Sequence, residues 1–280
     1  MIANRIIKII SYVSIALLVA FFCLFAITML YYSLPAMIHS GYHFFSDIVW
    51  KPAENTFGAF SFISTTLLSS LIAIIIAMPL SLSIAILLEE YYNRGRFNKF
   101  IKYSVDILAL VPSIIYGYWA WHFLIPLIES DPLYFGGGFS TILFISLILA
   151  IMIIPYSASF SFRIISRVSD NIKDAAFSLG ASKYRMIMNV LIPNSAQGLW
   201  AGMLLAMARC IGETMALIFV LGNGSIFFGN KNTMTTIITQ DFFQLQSQLH
   251  LYALAEIGFF LFIITTLINI AGKYIMQKVW

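Results

Sequence analysis

Arg209 and Glu213 stand four residues apart inside an otherwise apolar run at 196–221. An Arg or Asp at the centre of a membrane-spanning helix costs roughly 2.5–3.5 kcal/mol on insertion scales, so such a residue faces protein or water rather than lipid. Arg209 lies about 13 residues into the run, or about 20 Å at 1.5 Å per residue, near the middle of a bilayer. A spacing of four puts both side chains on one helical face, and Gly212 between them admits a neighbouring helix. Two roles fit the pair: a polar patch that tolerates an anion along a route, or an ion pair that locks two helices. Asp106 and Glu256 also sit in apolar surroundings, but near the ends of their runs, where structural contacts suffice. His122, close to Trp119 and Trp121, reads as an interfacial residue. His39, His43 and His250 do not form a metal-spaced set. Cys23 and Cys210 both lie in apolar runs, which points to neither a disulfide framework nor a metal site.

A second cluster of information lies at 169–193, a polar island between two long apolar runs. Ser169 is placed to cap a helix, and Asp170 suits its first turn. Ile172, Ala175, Ala176 and Leu179 then share one helical face. Gly180 is suited to end that helix in a left-handed conformation. Ser182 is placed to cap a second short helix with an apolar face of Met186, Ile187, Val190 and Leu191, and Pro193 stops it or starts the next element. Two short amphipathic helices bent at a glycine form a knob suited to docking a soluble partner.

These residues need a membrane-embedded scaffold. Of 280 residues, 60% are hydrophobic and 10% charged, against about 25% charged in soluble domains. Six runs approach the 20 or so apolar residues that a spanning helix requires: 9–30, 62–88, 104–127, 139–160, 196–221 and 252–273. Lipid offers no hydrogen bonds to the backbone, so these runs are helices. The expected class is all-α, a polytopic membrane protein with six transmembrane helices. The first run is too long for a signal-peptide core and is read as a retained span. Residues 1–61 comprise this helix and an outer loop; residues 62–280 form a five-helix core with a cytoplasmic loop at 162–195. Pro79, Pro112 and Pro155 fall within spans and are candidate kinks.

Basic residues set the orientation. Arg5, Lys8, Arg94, Arg96, Lys99, Lys102, Arg163, Arg167, Lys173, Lys183, Arg185, Lys273 and Lys278 all fall on one side, and only Lys51 and Lys231 on the other. The positive-inside rule then puts both termini and the polar island in the cytoplasm. The segment 224–231 resembles a phosphate-binding loop, but Asn230 separates its second glycine, Gly229, from Lys231, and it lies on the outer side. No nucleophile elbow, zinc-binding His-Glu-x-x-His or paired-carboxylate constellation is present, so nothing points to catalysis by this chain or to a bound cofactor.

The island resembles the coupling loop of ABC-importer permeases, whose pattern is Glu-Ala-Ala, three residues, Gly, nine residues, then Ile-x-Leu-Pro. Here Asp174, Ala175, Ala176 and Gly180 fall at the matching spacing, followed by Val190, Ile192 and Pro193. Asp for Glu, Val for Ile and Ile for Leu are the departures. The stretch from Arg209 through Cys210, Ile211, Gly212, Glu213, Thr214 and Met215 to Ala216 resembles the Arg-Ala-Leu-Gly-Glu-Thr-Met-Ala signature of PstC-type phosphate-importer permeases. Residues 111–119 resemble that family's third-span motif, and 55–60 the approach to its second span. The likeness runs from about Trp50 to the C-terminus.

The resemblance implies a MetI-like (type I) ABC-importer permease fold and a division of labour. A periplasmic phosphate-binding protein (PstS-like) delivers phosphate, and this chain and a homologous permease (PstA-like) form the path. A cytoplasmic ATPase dimer (PstB-like) grips the coupling loops. Asp174, Ala175, Ala176, Gly180 and Pro193 would belong to the coupling knob. Arg209 would supply positive potential in the translocation path, with Glu213 holding it in place. The alternatives are a permease for another anion, a stand-alone secondary transporter, which needs no coupling pattern, and a membrane-bound scaffold, which does not explain Arg209.

Overall fold

A computed structural model describes residues 2–92, 95–129, 138–221 and 232–277. Arg94, Lys231, Lys278 and the 224–231 segment lie outside the described residues. Helix α1 (Ile2–Ser40) is followed by the short α2 (His43–Ser46) and a hairpin of β1 (Trp50–Lys51) and β2 (Thr56–Phe57). Then come α3 (Phe60–Ile86), α4 (Arg96–Leu110), α5 (Ser113–Trp119), α6 (Ile125–Glu129) and α7 (Gly138–Ile165). The chain continues through α8 (Asp170–Ser178), α9 (Lys183–Met186), α10 (Ile192–Ile211), α11 (Met215–Leu221), α12 (Met234–Phe242) and α13 (Gln248–Gln277). Wide π-helical turns at Leu87–Tyr91, Ala120–Leu124 and Ile187–Leu191 interrupt the helical runs. Five helices are long and apolar enough to cross a membrane, and a bent pair brings the number to six. The protein is an all-α polytopic membrane protein.

Two compact units emerge, 1–61 with 237–262, and 62–236 with 263–280. In the first, several aromatic rings pack against one another. Phe25 meets Phe262 edge-on at 5.3 Å, and Phe45 meets Phe260 at 4.5 Å. The hairpin is pinned by the Trp50 indole, which donates to Asp241 Oδ2 at 2.8 Å, and by Phe57 stacked on the buried His250. In the second unit, α3, α7, α10 and α11 bury Ala73, Ile74, Ala77, Ile145, Leu149, Ile153, Ala206, Cys210 and Leu217 against one another. Small residues among them bring the backbones close, which suits packing in lipid, where shape rather than hydrophobicity holds helices together.

The third span differs from the single helix expected at 104–127. It breaks at Val111–Pro112 into two pieces inclined at 93°. Pro112 has no N–H, so the Leu108 carbonyl loses its usual partner four residues on. The Tyr116 hydroxyl donates to that carbonyl at 2.8 Å and closes the corner. Beyond the corner, α5 lies so close to α11 that a Cβ on Gly117 would stand 2.5 Å from the Ala216 carbonyl oxygen. By contrast, Pro79 and Pro155 are accommodated inside continuous helices. The run expected at 196–221 is also broken, at Gly212–Thr214, while its N-terminal end extends unbroken back to Lys183. Of the two roles open to Pro193, it takes the second and starts the next element. It falls in the first turn of α10, directly after a wide turn, where a missing N–H is tolerated.

Candidate functional site

Helix α7 carries Tyr156, Ser159, Phe160 and Arg163 at intervals of three and four, so they form one stripe. Helix α4 presents Asp106, Ala109 and Leu110 by the same periodicity. The two helices pack together: the Lys102 ammonium sits 4.3 Å over the Phe162 ring, and the Ser159 hydroxyl donates to Asp106 Oδ1 at 2.8 Å. Arg209, on α10, adds the third wall. These residues line a cavity of about 540 Å³ bounded by α4, α7 and α10. Two guanidinium groups, one carboxylate, a phenol and a hydroxyl are thus gathered where the surrounding helices are apolar.

Arg209 is exposed into this space, with its guanidinium 5.1 Å from the centre of the Tyr156 ring. Among the described residues it forms no ion pair. The aromatic face offers a cation partial compensation and leaves its N–H donors free for an incoming acceptor.

Glu213 forms no ion pair with it among the described residues. The four-residue spacing implied one continuous helix, but α10 ends at Ile211, and Gly212 to Thr214 lead into α11. The Glu213 carboxylate turns back to accept the Ala216 amide at 3.2 Å, the way a capping side chain satisfies a free donor in the first turn of a helix. Thr235 donates to the Glu213 carbonyl at 2.7 Å, and Thr66 accepts the Met234 amide at 2.9 Å. Glu213 is 9% exposed and ties the α10–α11 break to the start of α12. Of the two roles open to the pair, the ion pair is not formed among the described residues, and the Glu213 carboxylate serves the α10–α11 break instead.

The 169–193 segment forms the bent pair of helices. Gly180 has φ +83° and ends α8 as anticipated, and Ser182 caps α9 by accepting the Arg185 amide at 3.4 Å. Ser169 occupies the cap position of α8 but makes no side-chain cap. Met186, Ile187 and Leu191 are buried with Ala85, Ile165 and Ala176. The apolar face of α8 departs from expectation. Ala176 is buried, yet Ile172 and Ala175 are exposed and Leu179 is 90% exposed, so most of that face is presented outward. Asp174 and Pro193 are exposed as well.

The other buried residue of α8 is Lys173. Its ammonium lies 2.7 Å from Glu90, 3.6 Å from Asp170 and 3.8 Å from Glu89. Burial by itself would lower its pKa. The Glu90 hydrogen bond and the charges of Glu90, Glu89 and Asp170 outweigh that and hold it above the ordinary lysine value. Lys183, on α9, hydrogen-bonds the Glu90 carbonyl and sits 4.5 Å over the Tyr91 ring. Both halves of the knob therefore hang from one π turn at the end of α3.

Sequence reading overlooked Tyr156, Ser159 and Arg163, although a stripe of polar groups inside an apolar run was the available signal. It took Arg163 and Lys173 for topology markers only, and it passed over Glu89 and Glu90.

Residues 77–280 match the family of binding-protein-dependent transport system inner membrane components. The chain is 32% identical to a phosphate transport system permease protein PstC from Mesorhizobium japonicum, over 91% of this chain and 84% of the relative. It is equally identical to a PstC protein from Haemophilus influenzae, over 85% of this chain and 82% of the relative. Among solved structures it resembles inward-facing MetNI methionine ABC transporter, with a TM-score of 0.58 and 16% identity, over 80% of this chain and 94% of that one. At that identity the likeness concerns the fold.

Proposed function

The chain belongs to the binding-protein-dependent transport system inner membrane components, among the PstC-type permeases, and from that membership we propose that it is a transmembrane subunit of an ATP-driven phosphate importer. The observation that carries the substrate class is Arg209, without an ion pair among the described residues, facing a cavity shared with Arg163. An unpaired cation within a membrane is costly unless it serves an anion or water. The two arginines are borne by α10 and α7, and the α7 stripe from Tyr156 to Arg163 extends about 10 Å along the helix axis. A phosphate passing along the stripe exchanges one guanidinium for the other. Tyr156 occupies one face of Arg209, which keeps the site from holding the anion too tightly to release it.

In this scheme the 169–193 knob receives the motion of a cytoplasmic ATPase dimer. The exposed Leu179 and Tyr184, on either side of Gly180, offer apolar contacts to a groove, and Asp174, Ala175 and Ala176 lie in the helix that enters it. The tether from Lys173 and Lys183 to the end of α3 carries that motion into the spans. A homologous permease supplies the other wall of the path, and a periplasmic phosphate-binding protein delivers the anion from outside. ATP hydrolysis belongs to the ATPase partner. Glu213 contributes to the path by fixing the α10–α11 break, which sets where Arg209 stands. The chain is a multi-pass inner membrane protein, and both termini lie in the cytoplasm by the distribution of basic residues.

Uptake of ³²P-labelled phosphate by cells lacking this chain, with and without its restoration, tests the function. Restored uptake that depends on the binding protein is expected. No difference, with the ATPase still co-purifying, would leave a permease whose cargo is not phosphate.

A further inference from the structure

Asp106 is out of place in a passage for anions. It lines the same cavity as Arg163 and Arg209, yet among the described residues it forms an ion pair with neither. Its Oδ1 accepts the Ser159 hydroxyl at 2.8 Å. Its second oxygen has no hydrogen-bond partner among the described residues. Tying α4 to α7 requires only the first oxygen, and an asparagine would do that without adding negative charge. Asp106 thus brings to the lining of the cavity an oxygen that accepts and, as a carboxylate, cannot donate.

On the reading of this cavity as an oxyanion path, we propose that Asp106 makes it selective for an oxyanion that still carries a proton. A hydrogen phosphate ion has both chemistries that the cavity requires. As it passes, its ionised oxygens accept from the guanidinium group of Arg209 or of Arg163, and its remaining O–H donates to Asp106. A fully ionised tetrahedral anion such as sulfate satisfies the arginines equally well but turns a bare oxygen toward a carboxylate. It has no proton to offer, and the two acceptors repel. Specificity then arises from a repulsive element set against the competitor as much as from attraction to the cargo. Sites built around such a bond reject an analogue that cannot make it far more strongly than a hydrophobic pocket rejects a missing methylene. In a cavity this open we expect a preference of about ten-fold or more.

A binding protein upstream would mask this filter, so the test uses the purified full-length complex without it. Dissociation constants for inorganic phosphate and for sulfate are measured by titration calorimetry on the wild type and on Asp106→Asn. The amide keeps an oxygen for Ser159 and replaces the spare acceptor by a donor. The wild type is expected to prefer phosphate by about ten-fold or more, and the variant to lose most of that ratio, largely through tighter sulfate binding. A variant that keeps the wild-type ratio would show that Asp106 is only an interhelical tie and overturn the proposal. Should the variant not assemble, the wild type still decides: arsenate, which keeps a proton, must group with phosphate, and selenate with sulfate. A ranking by size alone overturns the proposal. Failure of the parent reading looks different, since a complex that binds none of the four anions, or binds them unchanged after Arg209→Gln, has no oxyanion path there at all.

Discussion

Replacing Lys173 by methionine preserves the unbranched stem and deletes only the charge. The Lys173 side chain is 8% exposed, and the Glu90 and Glu89 side chains that face it are 8% and 13% exposed. Removing one partner of a buried ion pair costs about 3–5 kcal/mol, because the remaining charge is left without compensation. Here one of two adjacent carboxylates can take up a proton and relieve part of the strain, which places the cost near the lower end, about 3 kcal/mol. The cluster joins α8 to the end of α3 and lies apart from the main buried core, so the penalty falls on the docking of α8 rather than on global unfolding. At 1.4 kcal/mol per decade, the undocked state of α8 gains about a hundred-fold in population. Hydrogen exchange of amides at 170–179 in the purified complex should accelerate by that factor while amides in α7 keep their rates. ATP hydrolysis should persist while phosphate uptake falls. Adding Glu90→Gln should recover a large part of the loss, since the neutral amide no longer requires a cation, and the two changes should be clearly non-additive. Exchange at 170–179 within two-fold of wild type, or strict additivity, would refute the idea that this cluster holds the knob.

Linkage fixes how the same tether responds to pH. Its lysine value is raised above 10.5, so the contribution is fully present below that value and disappears only as pH climbs through the higher folded value; α8 exchange, corrected for intrinsic rates, should show no lysine-dependent change near neutrality. Arg209→Gln should lower phosphate uptake at least about ten-fold, as expected for loss of a charge-assisted contact, with assembly of the complex unchanged on size-exclusion chromatography; dissociation of the complex would instead make Arg209 structural. Glu213→Ala should cost about 1 kcal/mol, the usual loss on removing a cap, and lower the thermal midpoint, while Glu213→Gln, which retains an acceptor, should cost less. Gly180→Val forces a β-branched residue to φ +83°, at a cost of about 1–2 kcal/mol; the protein should reach the membrane in normal amount, yet uptake should drop, and normal uptake would rule out a coupling role for the bend.

Much of the molecule was legible one segment at a time. Long apolar runs mean helices wherever lipid denies the backbone other partners, so the class and the approximate positions of the spans followed from hydropathy alone. Local chemistry was equally readable where it is self-contained. Gly180 takes the left-handed conformation because it lacks the Cβ that disfavours it, and Ser182 caps α9 because its hydroxyl reaches the Arg185 amide within the same turn. Pro112 was recognised as a candidate kink. That it produces a 93° corner depends on Tyr116 reaching back to Leu108, a bond made only once the chain has turned.

Pairings between segments distant in sequence were not legible. The Arg209–Glu213 spacing argued for neighbours, and a continuous helix would have made them so. The helix instead breaks at Gly212, where Glu213 gains the Ala216 amide and a Thr235 contact that an unbroken span could not offer. Lys173 was one more basic residue on a basic side until α3 brought Glu89 and Glu90 against it, and Asp106 was a boundary residue until α7 placed Ser159 and Arg163 around the same cavity. Periodicity and hydropathy are properties of a single segment, and they determined which residues form helices, where those helices cross the membrane and which short segment makes the knob. The partner of a charge is a property of two segments at once. Only tertiary packing, which sets the desolvation and the distance that decide whether a buried ion is paired, left Arg209 facing a cavity without an ion pair among the described residues and enclosed Lys173 among three carboxylates.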